Sequence, residues 1–181
     1  MRRKLLSLLL CICLFSFLTG FVPDPRAGEP AGRGAGTPEP LGILYRKQPA
    51  ELVNSEGDVL IEGNTFLLYL SPSDAAARPA LQKWIEDFNR EREEDQEAFI
   101  RDQTRDVYTQ FENGLSLAYS RTETFIPVRA DSAVLSFAVA EDTYLGGAHG
   151  YRSYQSFNID PLTGKALSFS DIITDTEELP D

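Results

Sequence analysis

Thiols, imidazoles and positive charge are all scarce in this chain. Its 181 residues hold two cysteines and one histidine. Both cysteines, Cys11 and Cys13, sit in an apolar amino-terminal run, so the chain beyond residue 13 has no thiol. Disulfide stapling and thiolate chemistry are thereby excluded from the rest of the protein. A lone His149 cannot furnish a metal centre built on two imidazoles. Lys and Arg number 17 against 28 Asp and Glu, a net charge of −11. Without Arg2, Arg3 and Lys4 the remaining chain stands at −14. Such a surface repels a phosphate backbone and an anionic bilayer, which argues against nucleic acid as a partner. A second long hydrophobic run is also missing.

The one such run has a recognisable design. Arg2, Arg3 and Lys4 form a basic start, and Leu5–Leu18 form an apolar stretch. Residues 1–22 therefore read as a secretory signal peptide or a signal anchor. No good small-x-small cleavage site follows, and the 18 residues from Leu5 to Val22 are near the lower limit for a bilayer span. An uncleaved anchor would leave Met1 in the cytoplasm and the rest outside. No lipobox-like triplet precedes either cysteine, which argues against lipid modification. Residues 23–40 follow as a flexible linker in which nine of 18 positions are Pro or Gly. Residues 41–181 remain, enough for one domain with its own core.

Strands are expected at Leu41–Arg46, Asp58–Glu62 and Asn64–Leu70, with a turn at Ser55-Glu56-Gly57 between the first two. Ser71 to Asp74 supply N-cap chemistry, and a long helix is expected from Ala80 to Glu112. Pro79 suits its first turn, and Asn113-Gly114 its end. Inside it, Asn89–Glu97 (NREREEDQE) has seven charges in nine residues. Interleaved Arg90 and Arg92 argue against a cation site, so this stretch is expected to be a solvated face. Further strands are expected at Leu115–Arg121, Thr122–Arg129, Ser132–Ala140 and Tyr151–Ile159, the third well buried and central. A hairpin return over Lys165–Phe169 and a helix at Ile172-Ile173 follow. The expected class is α+β, an antiparallel sheet with one long helix inserted between strands.

Tyr144–Lys165 concentrates the candidate function. Gly146, Gly147 and Gly150 surround His149, so the backbone there bends or is closely approached. Period two then puts Tyr151, Phe157 and Ile159 on one strand face, and Arg152, Tyr154 and Asn158 on the other. Asp160–Lys165 reads as a tight turn, with Gly164 at a positive-φ position. His149 has three readings: a structural histidine bonding its own bend, a ligand contact beside Tyr151 and Tyr154, or a general base using Ser153 and Glu141 or Asp142. The candidate ligand-binding residues are His149, Gly146, Gly147, Tyr151 and Tyr154, since open backbone and aromatic faces suit sugars or peptides.

Gly146-Gly147-Ala148-His149-Gly150, the strand ending Phe157-Asn158-Ile159-Asp160, Leu162-Thr163-Gly164-Lys165, Leu167-Ser168 and Asp171-Ile172-Ile173 carry a family likeness. This pattern resembles the extracytoplasmic domains of PdaC-type proteins and RsiV-like sensors. There, a strand–helix–strand PdaC-type domain leads into a domain of unknown function that opens at the GGAH signature. The resemblance extends over most of Leu41–Asp181, and its specific part is GGAH to the hairpin. Such domains usually continue past the point where Asp181 falls, so the second half is expected to be truncated, in a short product or a fragment. PdaC proteins deacetylate peptidoglycan through a separate esterase domain whose zinc needs an aspartate and two histidines, which one histidine cannot provide. RsiV-like anti-sigma factors hold their sigma factor with a cytoplasmic segment, but only Met1–Lys4 precede the apolar run here.

The resemblance thus implies a non-catalytic envelope module, secreted or anchored. It would contact cell-wall glycan or an extracellular protein ligand, with no cofactor and no metal. The alternative is an accessory domain of a peptidoglycan-modifying hydrolase whose catalytic domain lies elsewhere.

Overall fold

A computed structural model describes residues 37–114, 117–168 and 171. The amino-terminal apolar run, most of the linker, Phe169 and the helix expected at Ile172-Ile173 lie outside them. The described chain runs β1 (Ile43–Val53), β2 (Val59–Leu70), α1 (Pro72–Ala77), α2 (Pro79–Glu112), β3 (Tyr119–Ala130), β4 (Leu135–Tyr144) and β5 (Tyr151–Ile159). The five strands form one sheet in the order β1-β2-β3-β4-β5. The fold is α+β as expected, with a mostly antiparallel sheet and a long helix inserted between strands.

Several boundaries differ. The strand expected at Ser132–Ala140 is β4, Leu135–Tyr144, because Asp131 and Val134 close a turn before it. Asp58–Glu62 and Asn64–Leu70 are one strand, β2, which passes through Gly63. A Cβ there would lie 2.1 Å from the Arg121 carbonyl oxygen, so glycine admits β3 rather than ending the strand. Leu115–Arg121 and Thr122–Arg129 likewise merge into β3. β1 extends through Pro49 to Val53, and an edge strand tolerates that proline. The buried strand of the carboxyl half, β4, lies between β3 and β5 rather than at the centre.

Helix α2 begins and ends as its sequence directs. Pro79 occupies its first turn, and Gly114 follows its end at φ +92°. Ser71 caps the separate short helix α1 instead, accepting from the Asp74 N–H at 3.2 Å. Among the described residues no helix is long and apolar enough to cross a membrane.

A 34-residue helix between β2 and β3 reverses the chain direction once more, so those two strands run parallel. Their pairing covers only Ile61–Asn64 against Tyr119–Thr122, after which they part. Past the fork, the Asn89 side chain bonds both the N–H and the C=O of Leu68, 2.8 Å each, satisfying main chain that β3 no longer meets.

The solvated middle expected for α2 is only half right. Its outer positions are exposed, but Arg92 and Gln96 are buried on the sheet and Asn89 and Glu93 reach β2 and β1. The helix runs unbroken because Leu81, Ile85, Phe88, Arg92 and Gln96 recur at spacings of three and four, one continuous inward stripe that changes from apolar to polar.

That change divides the interior. One apolar cluster joins Leu81, Ile85 and Phe88 to Phe66, Leu68, Leu135, Phe137, Val139 and Ile159. A smaller one joins Val107 to Leu60, Ile61 and Tyr119. Glu123, wholly buried, lies between them; it accepts from the Thr65 hydroxyl and from Arg92 and Arg121, each at 3.4 Å.

Candidate functional site

The residues singled out in the sequence occupy the end of the β4–β5 hairpin. Leu145–Gly150 connect Tyr144 to Tyr151. Gly146 has φ +76°, a left-handed conformation that glycine adopts without strain. At Gly150 a Cβ would approach the Thr143 carbonyl oxygen to 2.7 Å, so close approach of the two strands demands glycine there. Gly147 meets neither constraint.

His149 is exposed, and among the described residues its side chain makes no hydrogen bond or ion pair. The reading of it as a structural histidine bonding its own bend therefore fails; Gly146 and Gly150 shape that bend. The carboxylates considered as its partners are engaged by arginines. Glu141 accepts from Arg121 at 2.6 and 2.8 Å, and Asp142 accepts two bonds from Arg152 at 2.7 and 2.8 Å. Ser153 is exposed on β5.

Tyr151 and Tyr154 are 59% and 65% exposed. They point to opposite sides of the sheet, as period two requires, so the five candidates do not converge on one pocket. Tyr154 is on the side away from α2, opposite Ala140, with Arg152 and Asp142 paired one step along. Its neighbours across the sheet are small: Ala138, Ala140 and Ser156, with Thr124 opposite Ala140 on β3. The Arg152 hydrogen bond holds the Asp142 carboxyl below its ordinary range. Arg152 in turn is pushed further up, first by Asp142 and then by Tyr154. This face thus presents an open aromatic ring beside a fixed ion pair of planar groups.

A second feature escaped the sequence reading. On the other side of the sheet a groove of about 400 Å³ runs along α2, lined by Trp84, Asp87, Phe88, Arg90, Glu91 and Glu94. At about 3.6 residues per turn these positions form the flank opposite Asn89 and Glu93, which face β2 and β1. The groove therefore faces the β4–β5 side. At its apolar end Phe157 of β5 meets Phe88 at 5.2 Å and Trp84 at 6.2 Å between ring centroids. Farther along, α2 crosses toward β3 and β2, and the helix-side residues Tyr151, Ser153 and Gln155 are left exposed. The acidic rim was visible in the sequence as part of NREREEDQE; what it overhangs was not, because that depends on the crossing of α2.

No family model matches the chain, and no curated protein matches it. Among solved structures it is similar to a DUF3298-family protein of Bacteroides fragilis, 14% identical with a TM-score of 0.48, over 75% of this chain and 62% of that one. It is also similar to a DUF3298-family protein of Pseudomonas aeruginosa, 17% identical with a TM-score of 0.41, over 74% of this chain and 57% of that one. The chain thus spans about three-fifths of the length of each of these proteins of a family of unknown function.

Proposed function

We propose that the protein is a non-catalytic binding module of the bacterial cell envelope, exported by residues 1–22, and that it contacts cell-wall glycan. The PdaC- and RsiV-type resemblance of the GGAH-to-hairpin segment belongs to this reading. The observation that carries it is the exposed Tyr154 ring beside the Arg152–Asp142 ion pair on the β4–β5 face. Tyr154 offers a ring for stacking on a sugar, and the Arg152–Asp142 pair offers fixed donors and acceptors for hydroxyl and amide groups. His149 and Tyr151 extend the contact around the hairpin end. Support for a non-catalytic role comes from Glu141 and Asp142, both committed to arginines and neither paired with His149.

Cosedimentation with insoluble peptidoglycan tests the proposal. The chain is expected to pellet with the glycan, and Tyr154→Ala to weaken binding roughly fivefold, about 1 kcal/mol, with the melting temperature unchanged. His149→Ala is expected to act in the same direction. Absence of cosedimentation, or binding indifferent to Tyr154→Ala, would overturn the glycan reading. Finding the chain in the cytosolic fraction would overturn the export.

A further inference from the structure

We infer that the wedge between α2 and β5 is a docking site for an extended, cationic peptide segment, which adds to the sheet as a sixth strand. The groove lies on the opposite side of the sheet from the Tyr154 ring, and the proposal does not rest on the glycan reading.

The first ground is the edge. β5 is the last strand of the sheet. The Leu167 N–H donates to the Asn158 carbonyl at 2.7 Å, so at Asn158 the main chain of β5 points away from β4. Main-chain direction repeats every second residue, which turns the N–H and C=O groups of Ser156, Tyr154 and Arg152 the same way. Among the described residues no main-chain group meets them there. Among the described residues, the ladder that Ala166 begins opposite Ile159 goes no farther than Leu167 on Asn158, and Tyr151–Ser156 are exposed.

The second ground is the wall beside that edge. An added strand would send alternate side chains into the groove along α2. Trp84, Phe88 and Phe157 would receive the aliphatic stem of one at one end. The rim beyond is acidic. Asp87 is neutralised by Lys83 and Arg90, both at 2.8 Å, whereas Glu94 has only a 3.8 Å approach from Arg90 and Glu91 has no ion pair among the described residues. Arg90 also lines the groove, but Glu91 without an ion pair and Glu94 held only at 3.8 Å complement Lys or Arg, whose aliphatic stems cover the rings while their heads meet the rim. Pairing on an exposed strand with alternate side chains in a helix-walled groove is an established mode of peptide recognition. An edge strand left unpaired, untwisted by bulges and without proline is suited to it; β5 has no register shift along its ladder.

Trp84 is the only tryptophan, so its fluorescence reports on this groove alone. The full chain in mild detergent is titrated with an acetylated alternating Lys-Val peptide. The expected result is a saturable change in Trp84 emission. It should be absent with the alternating Glu-Val peptide, and weakened about tenfold by Glu91→Lys with Glu94→Lys or by N-methylating alternate peptide bonds of the probe. Tyr154→Ala keeps the main-chain groups of the edge and should weaken the titration by less than about twofold, which separates this site from the glycan face. Circular dichroism confirms that the charge-reversed variant keeps its helix, both positions being exposed. No saturable change with the Lys-Val peptide, equal binding of the Glu-Val or N-methylated peptide, or indifference to charge reversal would each overturn the proposal.

Discussion

Between Leu81 and Phe88, α2 presents Leu81, Ile85 and Phe88 to Phe66, Phe137 and Ile159, whereas one turn later the same stripe presents Arg92 and Gln96 to Glu123, Arg121 and Thr65. The first region is stabilised by burying apolar area, and each large side chain removed from water contributes roughly 1.5–3 kcal/mol. Phe88 adds T-shaped contacts with Phe137 and Phe157, 5.6 and 5.2 Å between centroids. In the second region the gain is smaller, because burying two guanidinium groups and a carboxylate costs nearly what their attraction returns. The bonds from Arg92 and Arg121 to Glu123 are long, 3.4 Å each, and both polar atoms of Gln96 have no partner among the described residues.

The location of the polar layer explains it. Thr65 and Glu123 each sit one residue beyond the last parallel pair, Asn64 opposite Thr122. There β2 and β3 separate, and their main-chain groups lose each other as partners. Polar side chains fill a fork that an apolar plug would leave with unsatisfied N–H and C=O groups. Asn89 on Leu68 does the same work a little farther along β2. The comparison teaches that helix–sheet packing here is apolar where the sheet is continuous and polar where it splits.

Breaking the polar region has the largest expected effect. Glu123→Gln leaves Arg92 and Arg121 without their shared carboxylate and should cost about 3–5 kcal/mol in urea unfolding. A loss below about 1 kcal/mol would mean that solvent already reaches the layer. Next comes the apolar region: Ile85→Ala leaves a cavity under α2 and should cost about 3 kcal/mol. The two losses should add to within about 0.5 kcal/mol in the double variant if the regions are energetically separate. Larger coupling would make them one unit.

The smallest effect concerns the far end of the interface, beyond the polar layer. Burial raises the Tyr119 phenol to about 12 from 10.0, with the Asp106 carboxylate, 2.6 Å away, adding to the shift. The unfolded chain therefore loses this proton first. Stability is fully present below pH 10 and falls as pH rises toward 12. Tyr119→Phe should flatten that part of the stability profile; an unchanged slope would assign it to other groups.

Much of this molecule was legible from residue order. Pro79 and Asn113-Gly114 bounded α2 because helix termini need particular local chemistry. Tyr151–Ile159 was read to its ends, since strong alternation and flanking glycines mark a strand sharply. Gly63 misled, because a glycine that ends a strand and one that admits a neighbouring backbone look the same in sequence. Arg92 and Gln96 misled more seriously. Their composition says solvent, and only the opposite charge of Glu123, distant in sequence, makes the burial of Arg92 tolerable.

The candidate site divides in the same way. His149, Tyr151 and Tyr154 were named from the sequence as candidate contacts beside a glycine-framed bend, and all three are exposed. The wedge beside Trp84 was not, because it is made by an absence of contact between elements some sixty residues apart along the chain.

What the sequence determined by itself is local: the caps, the strand alternation of β5, the positive-φ turns, and an acidic charge balance poor in thiol and imidazole. Those follow from interactions within a few residues and from composition. Tertiary structure alone decided that β2 and β3 run parallel for four pairs and then part, and that α2 plugs the fork with polar side chains while Tyr151, Ser153 and Gln155 of β5 stay exposed. Each of these depends on which distant groups meet, and a buried charge or an open edge is defined by its neighbours in space rather than in the chain.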